Sequence, residues 1–252
     1  MSSQDAAEWL VRAHEAGGDF APLPENLRAR DLDAAYHIQE AFQAIAGRGR
    51  IAGYKIALAS RAMQEMVGID QPIAGGIFEG DIHQSGVRIP RASFGRLGLE
   101  FELAFRFADA IRAPVTREDM LSRVSECYPA FELIEDRNAD YANLDARDLV
   151  ADNSWCGGVV LGAPIPDWQG AGVEAIASRL NFNDEIEEGN TSAAEPFNSL
   201  AWVVAHVLSR GGTIAAGDIV ITGSALRTRF PQAGDVARYD IGGLSAVEVF
   251  IT

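Results

Sequence analysis

Cysteine is almost missing from this chain: Cys127 and Cys156 are the two in 252 residues. Two cysteines do not make a disulfide framework, so a reducing cytoplasm is the expected setting. Their spacing matches no metal-ligand pattern, and packing in a core or interface is their expected role. Basic residues are scarce too, with 21 Lys and Arg against 36 Asp and Glu, a formal charge of −15. That balance argues against nucleic acid and anionic membranes as partners. An anionic substrate would need local positive charge, which a metal ion with a few Lys or Arg supplies; the same charge count also serves solubility alone. No apolar run approaches the roughly 18 residues of a membrane helix. The N-terminal Met-Ser-Ser-Gln-Asp-Ala-Ala-Glu carries acid and lacks a basic region followed by an apolar one, so no secretory signal is expected. Gly-x-Ser-x-Gly, P-loop and Gly-x-Gly-x-x-Gly motifs are missing, which leaves serine-hydrolase and nucleotide-binding readings without support.

What is present is a hydrophobic fraction of 48%, enough for a sizeable core. Ser2 or Ser3 caps a predicted helix with Ala6, Trp9, Leu10 and Ala13 on one face, ending near Gly17-Gly18. Asp31 opens a second, with Ala35, Ile38, Phe42 and Ile45 at helical spacing and Gly47 as its stop. The period then changes. Tyr54, Ile56 and Leu58 alternate with Lys55 on the other side, which reads as a strand, and Ser60 caps a short helix after it. From residue 73 strand signals dominate, interrupted by a helix opened by Thr116 and another over 196–209. Leu180 to Ile186 reads as a hairpin, and the tail offers strands at 218–222, 236–241 and 245–251. The sum is an α+β chain: an N-terminal helical cap over residues 1–72, which includes the Lys55 strand, and a β-rich body over 73–252.

Within that body the residues from Leu97 to Phe107 alternate strictly. Leu97, Leu99, Phe101, Leu103, Phe105 and Phe107 take one face; Gly98, Glu100, Glu102, Ala104 and Arg106 take the other. Residues i and i+2 on a strand lie roughly 6.5–7 Å apart at the backbone. A third acid, Glu132, sits in the apolar stretch Pro129-Ala-Phe-Glu-Leu133. Desolvating carboxylates is costly, so acids in apolar strands point to a partner, and a hard divalent cation prefers carboxylate oxygen. The competing reading is a solvated strand face on which Glu100, Glu102 and Arg106 form surface pairs.

Lys55, flanked by apolar residues in Gly53-Tyr-Lys-Ile-Ala57, is a candidate proton carrier, and partial burial beside a metal would lower its pKa. Its alternative is a strand lysine with the ammonium in water. Glu79, Asp81 and His83 alternate in Phe78-Glu-Gly-Asp-Ile-His83 and are candidate general bases, or loop residues in solvent. His37 and Glu40 read as a solvated helix face. Thr222-Gly-Ser224 ends a strand with backbone N–H groups and hydroxyls suited to a carboxylate.

Taken together, Gly53-Tyr-Lys-Ile-Ala-Leu-Ala-Ser-Arg-Ala-Met-Gln64, Leu97-Gly-Leu-Glu-Phe-Glu102, Ala130-Phe-Glu-Leu-Ile-Glu-Asp-Arg137, Asp152-Asn153 with Gly158-Val-Val-Leu-Gly162, and Ile221-Thr-Gly-Ser224 with Gly234-Asp235 resemble the 2-oxopent-4-enoate hydratases of the fumarylacetoacetate hydrolase superfamily. The blocks occur in order over nearly the whole chain. The resemblance implies a mixed, rolled β-sandwich behind a small helical domain, and Mg²⁺ or Mn²⁺ on Glu100, Glu102 and Glu132. It implies roles for Lys55 in catalysis and for Ser60 and Arg61 beside the substrate, a 2-oxo acid or its 2-hydroxydienoic enol. It implies hydratase activity in the meta-cleavage breakdown of aromatic or steroid compounds. A homo-oligomer is implied as well, with a pathway decarboxylase or aldolase as a further partner. A decarboxylase of 4-oxalocrotonate type, an acylpyruvate hydrolase and a non-catalytic partner subunit are the alternatives. Two departures stand out: Ala59 replaces a hydroxyl residue, and Gly80 takes the place of an aspartate, leaving Asp81, Glu79 or His83 to activate water.

Overall fold

The computed structural model describes residues 2–252. Two helices come first, α1 (Ser3–Ala16) and α2 (Leu32–Ile45). Ser2 and Asp5 cap α1 reciprocally, Asp31 caps α2 through the Ala34 N–H, and Gly17 ends α1 at φ 65°. The chain continues through β1 (Ile51–Ala57), α3 (Arg61–Met66), β2 (Ile73–Phe78), β3 (Ile82–Gln84), β4 (Val87–Ile89) and β5 (Leu97–Phe107). Then come α4 (Arg117–Ser122), β6 (Val124–Glu135), α5 (Ala146–Ala151), β7 (Cys156–Leu161), β8 (Ala177–Phe182), β9 (Glu185–Asn190), α6 (Pro196–Ser209), β10 (Ile219–Ile221), β11 (Val236–Ile241) and β12 (Ser245–Ile251).

The strands form a seven-stranded sheet, in the order β2-β1-β10-β5-β6-β7-β3, and a five-stranded one, β4-β12-β11-β8-β9. The odd-numbered residues of β5 fill the space between the sheets. Phe101 stands 5.7 Å, ring to ring, from both Phe131 of β6 and Tyr239 of β11, and all three are fully buried. Each such side chain contributes about 1.5–3 kcal/mol on burial. The even face of β5 is covered as well, with Ala104 packed in a second cluster with Ile77, Ala130 and Ile219.

The helices α1 and α2 pack on α5 through Leu10, Ile38, Phe42, Leu149 and Val150. The strand carrying Lys55 belongs to the β body, not to this cap. β1 pairs antiparallel with β2 and parallel with β10, so its backbone groups are satisfied inside the large sheet. The helical layer therefore stops at Ile45.

Candidate metal centre

Glu100 of β5 lies directly opposite Glu132 of β6, and Glu102 follows two residues on along the same face. Carboxylate oxygens of the three residues lie within 4.8 Å of one another. Burial decides between the two sequence readings: Glu102 is 1% exposed, Glu132 is fully buried, and Glu100 is half-buried. Arg106 takes no part, pairing instead with Glu126 and Tyr128.

Lys55 completes the group, its Nζ 3.0 Å from Glu132 Oε1 and its side chain 3% exposed. β10 and β5 lie between β1 and β6 in the sheet. In a flat sheet that separation would be about 14 Å at the usual strand spacing. The large sheet is therefore rolled, and the roll brings Lys55 over the acids. The ammonium pKa is not lowered: burial pulls it down, but the Glu132 and Glu100 carboxylates outweigh it and pull it up.

Glu102 and Glu132 shift upward as well, which for a carboxyl favours the neutral form. Burial pushes Glu132 up to about 7, with Lys55 holding it down and Glu100 adding repulsion. Glu102 is raised well above the usual carboxylate range by burial and by Glu132 and Glu100, against which the Gly223 N–H works. Glu102 Oε1 and Glu132 Oε2 are buried without a hydrogen-bond partner; Glu132 Oε1 meets Lys55 but outside hydrogen-bonding angles. Orphaned carboxylate oxygens converging on one point fit a hard, oxygen-liganded divalent cation, which would relieve both the repulsion and the missing bonds.

The remaining predicted residues separate. Gly223 donates its N–H to Glu102 Oε2 at 2.7 Å from a backbone with φ 91°, a conformation natural only to glycine. The hydroxyls flanking it serve the backbone: Thr222 donates to Leu103 O at 3.2 Å, and Ser224 accepts from Phe101 N–H at 2.8 Å. Ser60 caps α3, and Arg61 is exposed and paired with Glu65 at 2.8 Å. Glu79 and Asp81 sit in one turn but part company. Glu79 is exposed near Arg50, whereas Asp81, 2.7 Å from Arg48, lines a cavity of about 800 Å³ with His83. Burial raises the Asp81 pKa, with Arg48 pulling the other way. Cys156, whose thiol is pushed up to about 12 by burial and by Glu132, lines the same cavity.

Some of the framework escapes sequence reasoning. Asn153, Ser154 and Trp155 form a left-handed turn with φ near 50° at each residue. It presses against β2: Asn153 both donates to Gly76 O and accepts from Gly76 N–H at 2.8 Å, and Ser154 donates to Ala74 O at 2.9 Å. Beside it Asp152 is buried between Arg137 and His14, the latter 2.6 Å away. Asp152-Asn153 was visible as a sequence block, but its conformation has no local signature beyond asparagine's tolerance of positive φ.

Residues 80–252 match the family described as fumarylacetoacetate (FAA) hydrolase C-terminal. The chain belongs to the fumarylacetoacetate hydrolase family. The rolled sandwich is thus that of the fumarylacetoacetate hydrolase family, and Glu100, Glu102 and Glu132 lie inside the matched segment. Over its full length this family member is similar to 2-keto-4-pentenoate hydratase 1 of Dechloromonas aromatica, 30% identical over 253 residues covering 98% of this chain and 96% of that one. It is also similar to the 2-hydroxyhexa-2,4-dienoate hydratase of Comamonas testosteroni, 27% identical over 96% of this chain and 95% of that one. In fold it resembles the 4-oxalocrotonate decarboxylase of Pseudomonas putida G7, solved with magnesium and adipate. The TM-score is 0.90, with 20% identity, 99% of this chain and 97% of that chain covered.

Proposed function

We propose that this chain is a divalent-cation-dependent hydratase. It adds water to 2-hydroxypenta-2,4-dienoate, or a close alkyl homologue, to give a 4-hydroxy-2-oxo acid in the meta-cleavage breakdown of aromatic or steroid compounds. The observation that carries the reading is the triad of half-buried Glu100 with buried Glu102 and Glu132, with unpartnered oxygens and Lys55 at 3.0 Å from Glu132, in a chain similar end to end to hydratases. The three glutamates would hold Mg²⁺ or Mn²⁺, since both prefer hard oxygen ligands. When bound, such an ion offsets negative charge on a 2-oxo acid's carboxylate and 2-oxygen.

The chain's own groups handle the protons. Ketonisation moves a proton from the 2-hydroxyl to C5, leaving a C3=C4 double bond conjugated with the 2-oxo group. Water then adds its hydroxyl at C4 and its proton at C3. Lys55 is the proton carrier beside the triad, held as an ammonium by the surrounding carboxylates. Asp81 is our choice for the group that activates water, since its carboxyl is half-buried and borders the cavity that also meets Cys156, with His83 next to it. Glu79 is exposed and has the weaker claim. Gly223 acts by orienting Glu102. Ser60 acts by capping α3, and Thr222 and Ser224 by pinning the end of β10 and the segment after it to β5, while Arg61 lies exposed on α3 beside Glu65. None of the described helices is long and apolar enough to cross a membrane. A cytoplasmic homo-oligomer, working with a pathway decarboxylase or aldolase, completes the proposal.

The test offers freshly generated 2-hydroxypenta-2,4-dienoate and 2-oxohex-3-enedioate, each with Mg²⁺, with Mn²⁺ and with chelator. Cation-dependent loss of dienol absorbance with 4-hydroxy-2-oxopentanoate as product is the expected result. Carbon dioxide released from the diacid alone would replace the hydratase by a decarboxylase, and inertness toward both would end the proposal.

A further inference from the structure

Each acid of the triad is met by a donor from outside its own strand. Lys55 of β1 faces Glu132, and the Gly223 N–H reaches Glu102. The third donor is Thr228, whose hydroxyl lies 2.6 Å from Glu100 Oε1. Thr228 lies in the irregular segment that follows β10 and continues its pairing with β5. Ala225 N–H donates to Phe101 O at 2.9 Å. Arg229 and Leu99 exchange both backbone bonds, at 3.0 and 2.8 Å. Between these two anchor points the chain bulges away, and Thr228 is set next to the second anchor. The Thr228 methyl lies over Gly98, where an added β-carbon would sit 3.3 Å from it. Methyl packing and pinned backbone together aim the hydroxyl at the carboxylate.

Glu100 needs such a donor more than its neighbours do. Glu102 and Glu132 are confined by complete burial, whereas Glu100 is half-buried and so less confined by its surroundings. We propose that Thr228 is a positioning residue that locks the Glu100 carboxylate toward Glu102 and Glu132 and so sets the affinity of the triad for a hard divalent cation. This rests on the reading of the triad as a cation site. A hydrogen bond to one carboxylate oxygen leaves the other free as a ligand and fixes the direction it faces. Outer partners of this kind typically change metal affinity about 10–100-fold when removed.

The test compares the full-length protein with Thr228→Val and Thr228→Ser. Valine keeps the methyl packing and loses the donor; serine keeps the donor and loses the methyl. Free Mn²⁺ is followed by electron paramagnetic resonance during titration, and turnover is measured separately at saturating Mn²⁺. The expected result is about a 10-fold rise in Mn²⁺ Kd for Thr228→Val and about threefold or less for Thr228→Ser, with kcat at saturating cation within about threefold of wild type for both. Thermal midpoints in chelator are expected to match. If wild type binds Mn²⁺ and Thr228→Val binds it equally well, the inference is overturned and the hydratase reading stands. Equal weakening in both variants also overturns it, since packing and not the donor would then be at work. A wild type that binds no Mn²⁺ or Mg²⁺ overturns the cation reading itself, and this inference with it.

Discussion

Replacing Glu132 with glutamine should remove a falling limb from the pH dependence of stability measured in chelator. Burial raises the Glu132 pKa to about 7 from the usual 4.5. Between those values the folded protein holds a proton that the unfolded chain has released. The unfolded state therefore binds fewer protons, and stability falls as pH rises through the window. The penalty is absent below the unfolded value and complete above the folded one. A shift of this size corresponds to ~3 kcal/mol at ~1.4 kcal/mol per pH unit. Glu102, raised by the same burial and repulsion, steepens the fall, and removing the Glu132 charge relaxes Glu102 as well. Glutamine keeps the shape and stays neutral. The assay is urea unfolding of both proteins with EDTA at half-unit steps from pH 4.5 to 8, with stability from linear extrapolation. Wild-type stability minus that of Glu132→Gln should drop by ~3 kcal/mol across the window. Saturating Mg²⁺ or Mn²⁺ should cancel that drop in wild type, because an ion competes with the protons and binds better as pH rises. Parallel profiles in EDTA would refute the reasoning, since they would mean that Glu132 titrates alike in both states.

Three further outcomes follow from the same geometry. Lys55→Met should lower kcat by about 10²–10⁴ while Mn²⁺ still binds, as read from dienol absorbance beside a titration. Asp81→Asn should lower kcat by about 10²-fold or more, and Glu79→Gln should leave it within about twofold, because Asp81 borders the cavity and Glu79 does not; the reverse order would move the water-activating role to Glu79. Gly75→Ala should destabilise the fold by about 1–3 kcal/mol in thermal unfolding, since the new β-carbon would lie 2.5 Å from the Asn153 carbonyl oxygen in the left-handed turn.

The acid strand was legible because its signal is local. Period two over residues 97–107 puts Glu100 and Glu102 on one face whatever the strand packs against, and β5 spans those same residues. The helix over 196–209 and the hairpin turning at Asn183-Asp184 were legible for the same reason, the latter with Asn183 at φ 52°. Lys55 was legible as a candidate, but its pKa was not. A lowered value follows from burial alone, and the upward pull comes from carboxylates that only the rolled sheet brings near it. Arg61 stands beside the Lys-Ile block in sequence, and only the fold shows that it lies exposed on α3, paired with Glu65. Thr228 gave no signal at all, because 128 positions separate it from Glu100 and no periodicity crosses that interval.

Composition and pattern by themselves determined the α+β class, the shared face of Glu100 and Glu102, and the third acid in a second apolar strand. Each of these depends on backbone periodicity and on the cost of placing charge among apolar neighbours. Tertiary structure alone decided the rest. It set Glu132 opposite Glu100, carried Lys55 across two intervening strands, and buried Glu102 and Glu132 deeply enough to raise their pKa values. It also split Asp81 from Glu79 and brought Thr228 to Glu100. Those are consequences of sheet curvature and loop closure between segments distant in the chain, and a one-dimensional pattern holds no record of either.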